Sequence, residues 1–478
     1  MNIYYKEALD NIKIQNYNIA IENYKEIIKL NPCDINKYLC ELSEIYKLQN
    51  KFNEMIECYI KIIQTDENNI IILNEICDYY FNQSIYKLAI IYYKKLLIIE
   101  EAYDIYYNIG LCYINMKEYK IAEENYLKSY NMNKSNNMIK SSLVELYYFL
   151  KDYEKSINIF NKIENNIPDY HLILYNISFT YCAKKDFIKG FELYENRLKI
   201  TNVNNKSDNI KNRAEVSINY WNGIDNINKL LIIYEQGIGD NIMYYRFIIQ
   251  LSELYPNMKI TYICKEEVKD IFKTFKNINI VTNITITDYN FKLYIMSLPY
   301  ILKLNKIDRN EIDYINVNEN KISYWKEKLS HLTKKKKVGF VYNGLLTSFI
   351  EKTIPIEEFK ILADMDIDLI CLHKKNDIID RKDYINYFDI DVDKPFEDTI
   401  AILKNIDLLI TIDTYIVHLA GVLNIKTWLL LGNYSEWRWS NEDTNYWYNS
   451  VELIRINEDI EFNLIIKNVK NKLITLLL

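Results

Sequence analysis

A chain of 478 residues is longer than one ordinary domain, and its 49% apolar content supplies a core and excludes wholesale disorder. The net charge of −6, with both signs interspersed, excludes a nucleic-acid binder that relies on a basic surface. Eight cysteines stand singly with no Cys-x-x-Cys pair, and only four histidines accompany them, which argues against a structural zinc site and fits a reducing compartment.

The N-terminus, Met-Asn-Ile-Tyr-Tyr-Lys-Glu, lacks the pattern of a secretory signal. The most apolar long stretch, Ile406 to Leu431, carries Asp407, Asp413, His418 and Lys426, so no membrane span is expected and the protein reads as cytoplasmic.

The first two hundred residues repeat themselves. An aromatic recurs at Tyr17, Phe52, Tyr86, Tyr119, Tyr153 and Phe187, followed three residues later by Ala20, Met55, Ala89, Ala122, Ser156 and Gly190. Four residues further on come Tyr24, Tyr59, Tyr93, Tyr126, Phe160 and Tyr194, and six before the aromatic, from the second period on, Tyr46, Tyr80, Tyr113, Tyr147 and Tyr181. Offsets of three, four and seven fall on one helical stripe. The pattern predicts six stacked helix pairs, the small residue allowing close approach within a pair and the aromatics filling the seams. The concave face of such a stack is where protein partners are expected.

Between Thr201 and Tyr220 the chain turns polar and Asn-rich, which reads as a linker. Beyond it, apolar runs at Leu230–Tyr234, Ile260–Cys264, Val338–Val341, Leu369–Leu372, Leu408–Ile412 and Trp428–Leu431 alternate with amphipathic segments, predicting parallel sheets flanked by helices. The basic run Lys334 to Lys337 reads as a solvated loop. Seven of the nine glycines lie between Gly223 and Gly432. Gly237, Gly239, Gly344 and Gly432 directly follow strand candidates, where parallel sheets bind ligands, so each is expected to supply positive φ or to let a ligand approach.

Four motifs could carry chemistry. Glu235-Gln-Gly-Ile-Gly-Asp240 runs from a strand into a helix; it is neither a dinucleotide fingerprint nor a Walker loop. Asp240 reads equally as a helix cap, favourable by roughly 0.3–1 kcal/mol, or as a general base. At Asp413-Thr414-Tyr-Ile-Val-His418 a strand end opens a helix whose free N–H groups suit a phosphate, with His418 one turn on from Thr414; the alternative has Asp413 capping and His418 in the core. Lys352, near Tyr342-Asn-Gly344, could neutralise a leaving diphosphate or simply be solvated. Trp437-Arg438-Trp439 with Trp447-Tyr448 could stack a ring or clamp two lobes. The strings Asp366-Ile-Asp368 and Asp389-Ile-Asp391 are not expected to hold a metal.

Taken in order, these residues resemble bacterial tetratricopeptide proteins carrying a glycosyltransferase domain akin to the ADP-heptose lipopolysaccharide heptosyltransferases. The chain is more distantly similar to repeat-bearing O-linked N-acetylglucosamine transferases. Also in the match are Trp221-Asn-Gly223, Arg246 and Ser297-Leu-Pro299; Lys352 departs from it, since relatives of this subgroup usually carry Arg there. The resemblance implies a tetratricopeptide α-solenoid over 1–200, a linker over 201–224 and a two-lobed α/β fold of the kind called GT-B. Both lobes would be Rossmann-like, the acceptor-side lobe spanning 225–315, an inter-lobe connection 316–332 and the donor lobe 333–478. It implies a metal-independent, inverting transfer from a nucleotide-diphosphate sugar, with no cofactor, to a protein or glycan acceptor. Asp240 would be the base, and Gly237, Gly239, Gly344, Lys352, Asp413, Thr414 and His418 would form the donor and phosphate site. The alternative is a non-catalytic repeat scaffold with a degenerate transferase-like half.

Overall fold

The computed structural model describes residues 2–200, 218–284, 289, 291–309, 313–344, 353–373, 381–390, 394–432, 436–440, 442, 444–455 and 462–478. The chain forms two compact units, Met1–Asn166 and Ile167–Leu478.

The first unit is five helix pairs: α1 (Asn2–Lys13) with α2 (Tyr17–Lys29), α3 (Ile35–Leu48) with α4 (Phe52–Thr65), α5 (Ile70–Asn82) with α6 (Tyr86–Ile99), α7 (Tyr103–Asn115) with α8 (Tyr119–Met132), and α9 (Asn137–Phe149) with α10 (Tyr153–Phe160). Each periodic aromatic is the first residue of the second helix in its pair. The small residues Ala20, Ala89, Ala122 and Ser156 are fully buried, as are Tyr24, Tyr59, Tyr93 and Tyr126 one turn along. Of the leading aromatics in this unit Tyr119 is buried as the seam-filling role predicts, whereas Tyr17, Tyr86 and Tyr153 are half-buried and Phe52 is 40% exposed.

The turn within each pair has one construction. Gln15, Asn50, Ser84, Lys117 and Lys151, two residues before the aromatic, all adopt left-handed φ between 56° and 62°. The next N–H reaches back to the carbonyl of Asn11, Tyr46, Tyr80, Tyr113 or Tyr147 at 2.8–2.9 Å. This six-to-one bond is the Schellman ending of a helix. The stripe tyrosine therefore packs with its side chain and stops its helix with its carbonyl.

The second unit begins with the sixth period, α11 (Tyr170–Ala183) and α12 (Phe187–Tyr194), which repeats the left-handed turn at Lys185. Two all-parallel sheets follow. The first has the order β1-β5-β2-β3-β4, with β1 (Asn219–Tyr220), β2 (Lys229–Ile233), β3 (Lys259–Ile263), β4 (Ile278–Val281) and β5 (Phe291–Tyr294). The second has the order β11-β10-β9-β6-β7-β8, with β6 (Lys336–Val341), β7 (Ile367–Cys371), β8 (Asn386–Tyr387), β9 (Leu408–Thr411), β10 (Thr427–Leu431) and β11 (Val451–Arg455). All six predicted strand runs lie in these sheets. Their near-continuous burial fits strands covered on both faces. Helices α13 (Ile238–Leu254), α14 (Glu319–Lys328), α15 (Pro395–Leu403), α16 (Tyr415–Val422) and α17 (Phe462–Leu477) accompany them.

Two details depart from expectation. Asn219 and Tyr220, inside the stretch assigned to a linker, pair with Phe291 and Lys292 as β1; residues 201–217 lie outside the described residues. The basic run is not a loop throughout, because Lys336 and Lys337 open β6. Asp407 accepts from Lys336 Nζ at 3.0 Å and from the Lys337 N–H at 2.8 Å, while Asp368 accepts the Lys334 N–H at 3.0 Å. Those carboxylates fix the entry to a strand. Asp391 lies outside the described residues.

Both sheets reverse their winding once, β2 against β5 in the first and β6 against β9 in the second. Ligand crevices in open parallel sheets form at the carboxyl ends of strands at such reversals. The carboxyl ends of β2 and β9 carry Glu235–Asp240 and Ile412–Thr414, and that of β6 carries Tyr342–Gly344.

Candidate active site

At the carboxyl end of β2, Gln236 takes the left-handed conformation at φ 61° and Gly237 is the cap residue before α13. Asn241 is fully buried and ties the turn down, donating through Nδ2 to the carbonyls of Glu235 and Gly237, both at 2.7 Å. The positive φ expected of a glycine here belongs to Gln236; among the described glycines only Gly223 is left-handed. Gly237 and Gly239 matter for space. A Cβ on Gly237 would come within 3.1 Å of Asp240 Oδ2, and one on Gly239 would stand 2.8 Å from the His418 ring and 3.3 Å from the Tyr415 Cα. The close approach at Gly239 is thus made by α16 of the second sheet.

Both oxygens of Asp240 are engaged. Oδ2 accepts the Gly237 N–H at 3.0 Å, which is the capping arrangement, while Oδ1 pairs with Arg438 Nη1. Arg438 Nη2 also reaches Glu436 Oε2 at 3.0 Å. The pair is partly open to solvent, with the Asp240 and Arg438 side chains 13% and 20% exposed.

Across from this turn, Thr414 is the residue before α16 and has extended backbone, φ −135° and ψ 173°. Its Oγ1 is buried without a hydrogen-bond partner. His418 is 3% exposed, stacks on Trp439 at 5.4 Å between centroids, and shares a 3.1 Å hydrogen bond through Nδ1 with the Tyr448 hydroxyl. Burial, reinforced by Tyr314, holds that phenol above its usual range. The glycine of His418-Leu-Ala-Gly421 lets the Tyr448 ring lie directly against α16. Asp413 is half-buried beside Thr414. At the end of β6, the Tyr342 and Asn343 N–H groups donate to His373 Nε2 at 3.2 and 3.3 Å, so that nitrogen carries no proton. Gly344 follows, half-buried; Lys352 lies outside the described residues. Gly432 has nothing within 4 Å of a built Cβ.

The tryptophan cluster joins the layers. Trp447 packs on Tyr244 and Phe247 of α13, and Arg246 Nη1 donates to the carbonyls of Trp447 at 3.2 Å and Asp308 at 3.3 Å. Trp437 packs on Phe187 and Phe191 of the sixth period.

That period also reaches the reversal of the first sheet. Arg197, just beyond α12, donates to Glu235 through Nε at 2.8 Å and Nη2 at 2.9 Å, and to Ser297 Oγ at 2.9 Å. Tyr194 OH accepts from Gln236 Nε2 at 2.7 Å. The carboxyl ends of β2 and β5 are bridged by a residue from the helical repeats. Sequence reading gave no role to Arg197 or to the partnering of Asp240 by Arg438, because ion pairs 38 and 198 residues apart leave no local pattern.

Comparison with known proteins bears on the helical part. Residues 37–69 and 103–136 match the tetratricopeptide repeat. Solved structures similar to this chain include a tetratricopeptide repeat protein from Parabacteroides merdae at 21% identity, covering 41% of this chain and 78% of that one with a TM-score of 0.33. MamA is 18% identical over 33% of this chain and 93% of its own, with a TM-score of 0.31. YrrB, described as a TPR protein with an unusual peptide-binding site, is 17% identical over 38% and 94%, with a TM-score of 0.32. No curated protein matches the sequence. Among the described residues no helix is long and apolar enough to cross a membrane.

Proposed function

We propose that this protein transfers a sugar from a nucleotide-diphosphate donor to an acceptor presented by its repeats, in the manner of a two-lobed GT-B enzyme without a catalytic metal. The observation that carries the reading is the meeting of two strand ends. The turn after β2, with Asp240, faces the segment after β9, with Thr414 and His418, through the Gly239–His418 contact. A carboxylate from one sheet and an unpartnered hydroxyl at a helix start from the other are the complement that proton abstraction and phosphate binding require. Residues of the sixth period bridging β2 and β5 give the repeats a physical route to the acceptor side.

On this reading Asp240 takes the proton of an acceptor hydroxyl as that oxygen attacks the anomeric carbon. The nucleoside diphosphate leaves with the bonding electrons, held by Thr414, the N–H groups at the start of α16, and Lys352. The direct test is hydrolysis and transfer measured over a panel of nucleotide sugars with Asp240→Ala beside the parent. Loss of turnover with intact fold and donor binding is expected; unchanged turnover rejects the base assignment.

A second reading has its own support. Both Asp240 oxygens are occupied and His418 is buried with Nδ1 engaged, as in a scaffold whose second half is structural. The repeats alone support protein partners. Absence of nucleotide binding by calorimetry would select the scaffold.

A further inference from the structure

To act as a base Asp240 must accept the acceptor hydroxyl alongside the donors it already holds, one on each oxygen, so release of one of those donors clears the approach to the carboxylate. Oδ2 is held by the Gly237 N–H, a backbone donor fixed by the helix start. Oδ1 is held by Arg438, a long side chain on a short turn. Only the second contact can be given up without unwinding α13. Arg438 reaches Asp240 from the second sheet's half of the unit, the half that carries Thr414, and its guanidinium has a planar fork that suits a diphosphate better than a single carboxylate oxygen.

We infer that Arg438 is a donor-binding residue that moves from Asp240 to the diphosphate, so that donor binding frees the base. The inference rests on the transferase reading above and names how its two halves communicate. It makes binding ordered, donor before acceptor, and keeps the carboxylate neutralised while no donor is bound. It also implies competition. Asp240 and the diphosphate draw on the same guanidinium, so weakening the internal pair strengthens the external one.

Titration calorimetry with ADP, GDP, UDP and CDP, and with the corresponding monophosphates, tests this on the full chain and on the variants R438Q, R438K and D240N. For the diphosphate that the parent binds, R438Q is expected to weaken binding about tenfold or more, the loss of one charge-assisted contact. The monophosphate should change by less than about threefold. R438K should fall between, and D240N should bind the diphosphate about threefold tighter than the parent, as expected for relief of a partly exposed pair. A merely structural Arg438 would give no gain in D240N, and that variant retains a cap of the same shape, so it reports even if R438Q folds poorly. Diphosphate affinity within about threefold of the parent in R438Q, or no gain in D240N, overturns the inference and leaves the transferase reading standing. Binding of none of the eight nucleotides by the parent overturns both.

Discussion

Arg197 and Glu235 form a two-point ion pair at 2.8 and 2.9 Å with both side chains almost wholly buried, 6% and 7% exposed. Arg197 belongs to the end of the sixth helical period and Glu235 to the turn after β2, so the last repeat and the first sheet share one desolvated charge pair. Removing one member of such a pair leaves the other buried without a counter-charge.

Arg197→Met is accordingly expected to destabilise the second unit by about 3–5 kcal/mol. All six tryptophans, from Trp221 to Trp447, lie in that unit. Tryptophan fluorescence during urea unfolding therefore reports on it alone; a midpoint equal to that of the parent would refute the prediction. Double replacement with Glu235→Gln should recover part of the loss.

Gly239 has no room for a methyl group. The nearest atoms belong to a ring held by Trp439 and Tyr448 and to the Tyr415 backbone, and neither can yield freely. Gly239→Ala should cost about 1–3 kcal/mol by overpacking and should loosen α13 from α16. Unchanged fluorescence-detected stability would show that the contact is looser than described.

Glu145 on α9 is held above the usual carboxylate range by burial. A raised carboxyl pKa means that the folded state binds its proton more readily than the unfolded state. Its contribution is then favourable below the ordinary value of 4.5 and is lost as pH rises through the folded value. Glu145→Gln should raise the melting temperature at pH 7 and lose that advantage below about pH 4. Circular dichroism at the helix band is the suitable probe, since the first unit contains no tryptophan. An equal gain at both pH values would exclude titration as its origin.

The left-handed turns of the array are made without glycine. A side chain in that conformation costs roughly 1–2 kcal/mol. Gln15→Gly should stabilise the first unit by about 0.5–1 kcal/mol after the entropy gained by the unfolded chain. Gln15→Val should destabilise it. Reversal of that order in thermal melts would mean the turn is not under strain.

Much of the architecture can be read from local pattern. Ala20, Ala89 and Ala122 at fixed distance from a tyrosine identify close helix contacts because the period is sustained. Runs such as Leu408–Ile412 identify buried strands because no charged residue interrupts them. What pattern does not carry is partnership at a distance. That Gln236 would hold the positive φ while Gly237 and Gly239 would not, that Arg438 would sit on Asp240, and that His418 would stack on Trp439 all depend on which strand ends the topology brings together. The sheet edge strand β1 was illegible for a related reason. Two residues, Asn219 and Tyr220, are too few to show alternation, and their pairing with Phe291 and Lys292 is visible only in register.

The Schellman endings have a consequence for how such an array can change over time. From the second period on, the tyrosine that seats the helix also accepts the bond that ends it, and in every period the left-handed residue stands at a constant remove from the aromatic that starts the next helix. Punctuation travels with the module. Tandem copying of a whole period delivers a complete pair with its own stop and start, whereas gain or loss of any other length carries a carbonyl and a ring out of step. Growth of this protein by integral steps is therefore cheap, and the genetic record of its relatives should show lengths quantised in units near 34 residues.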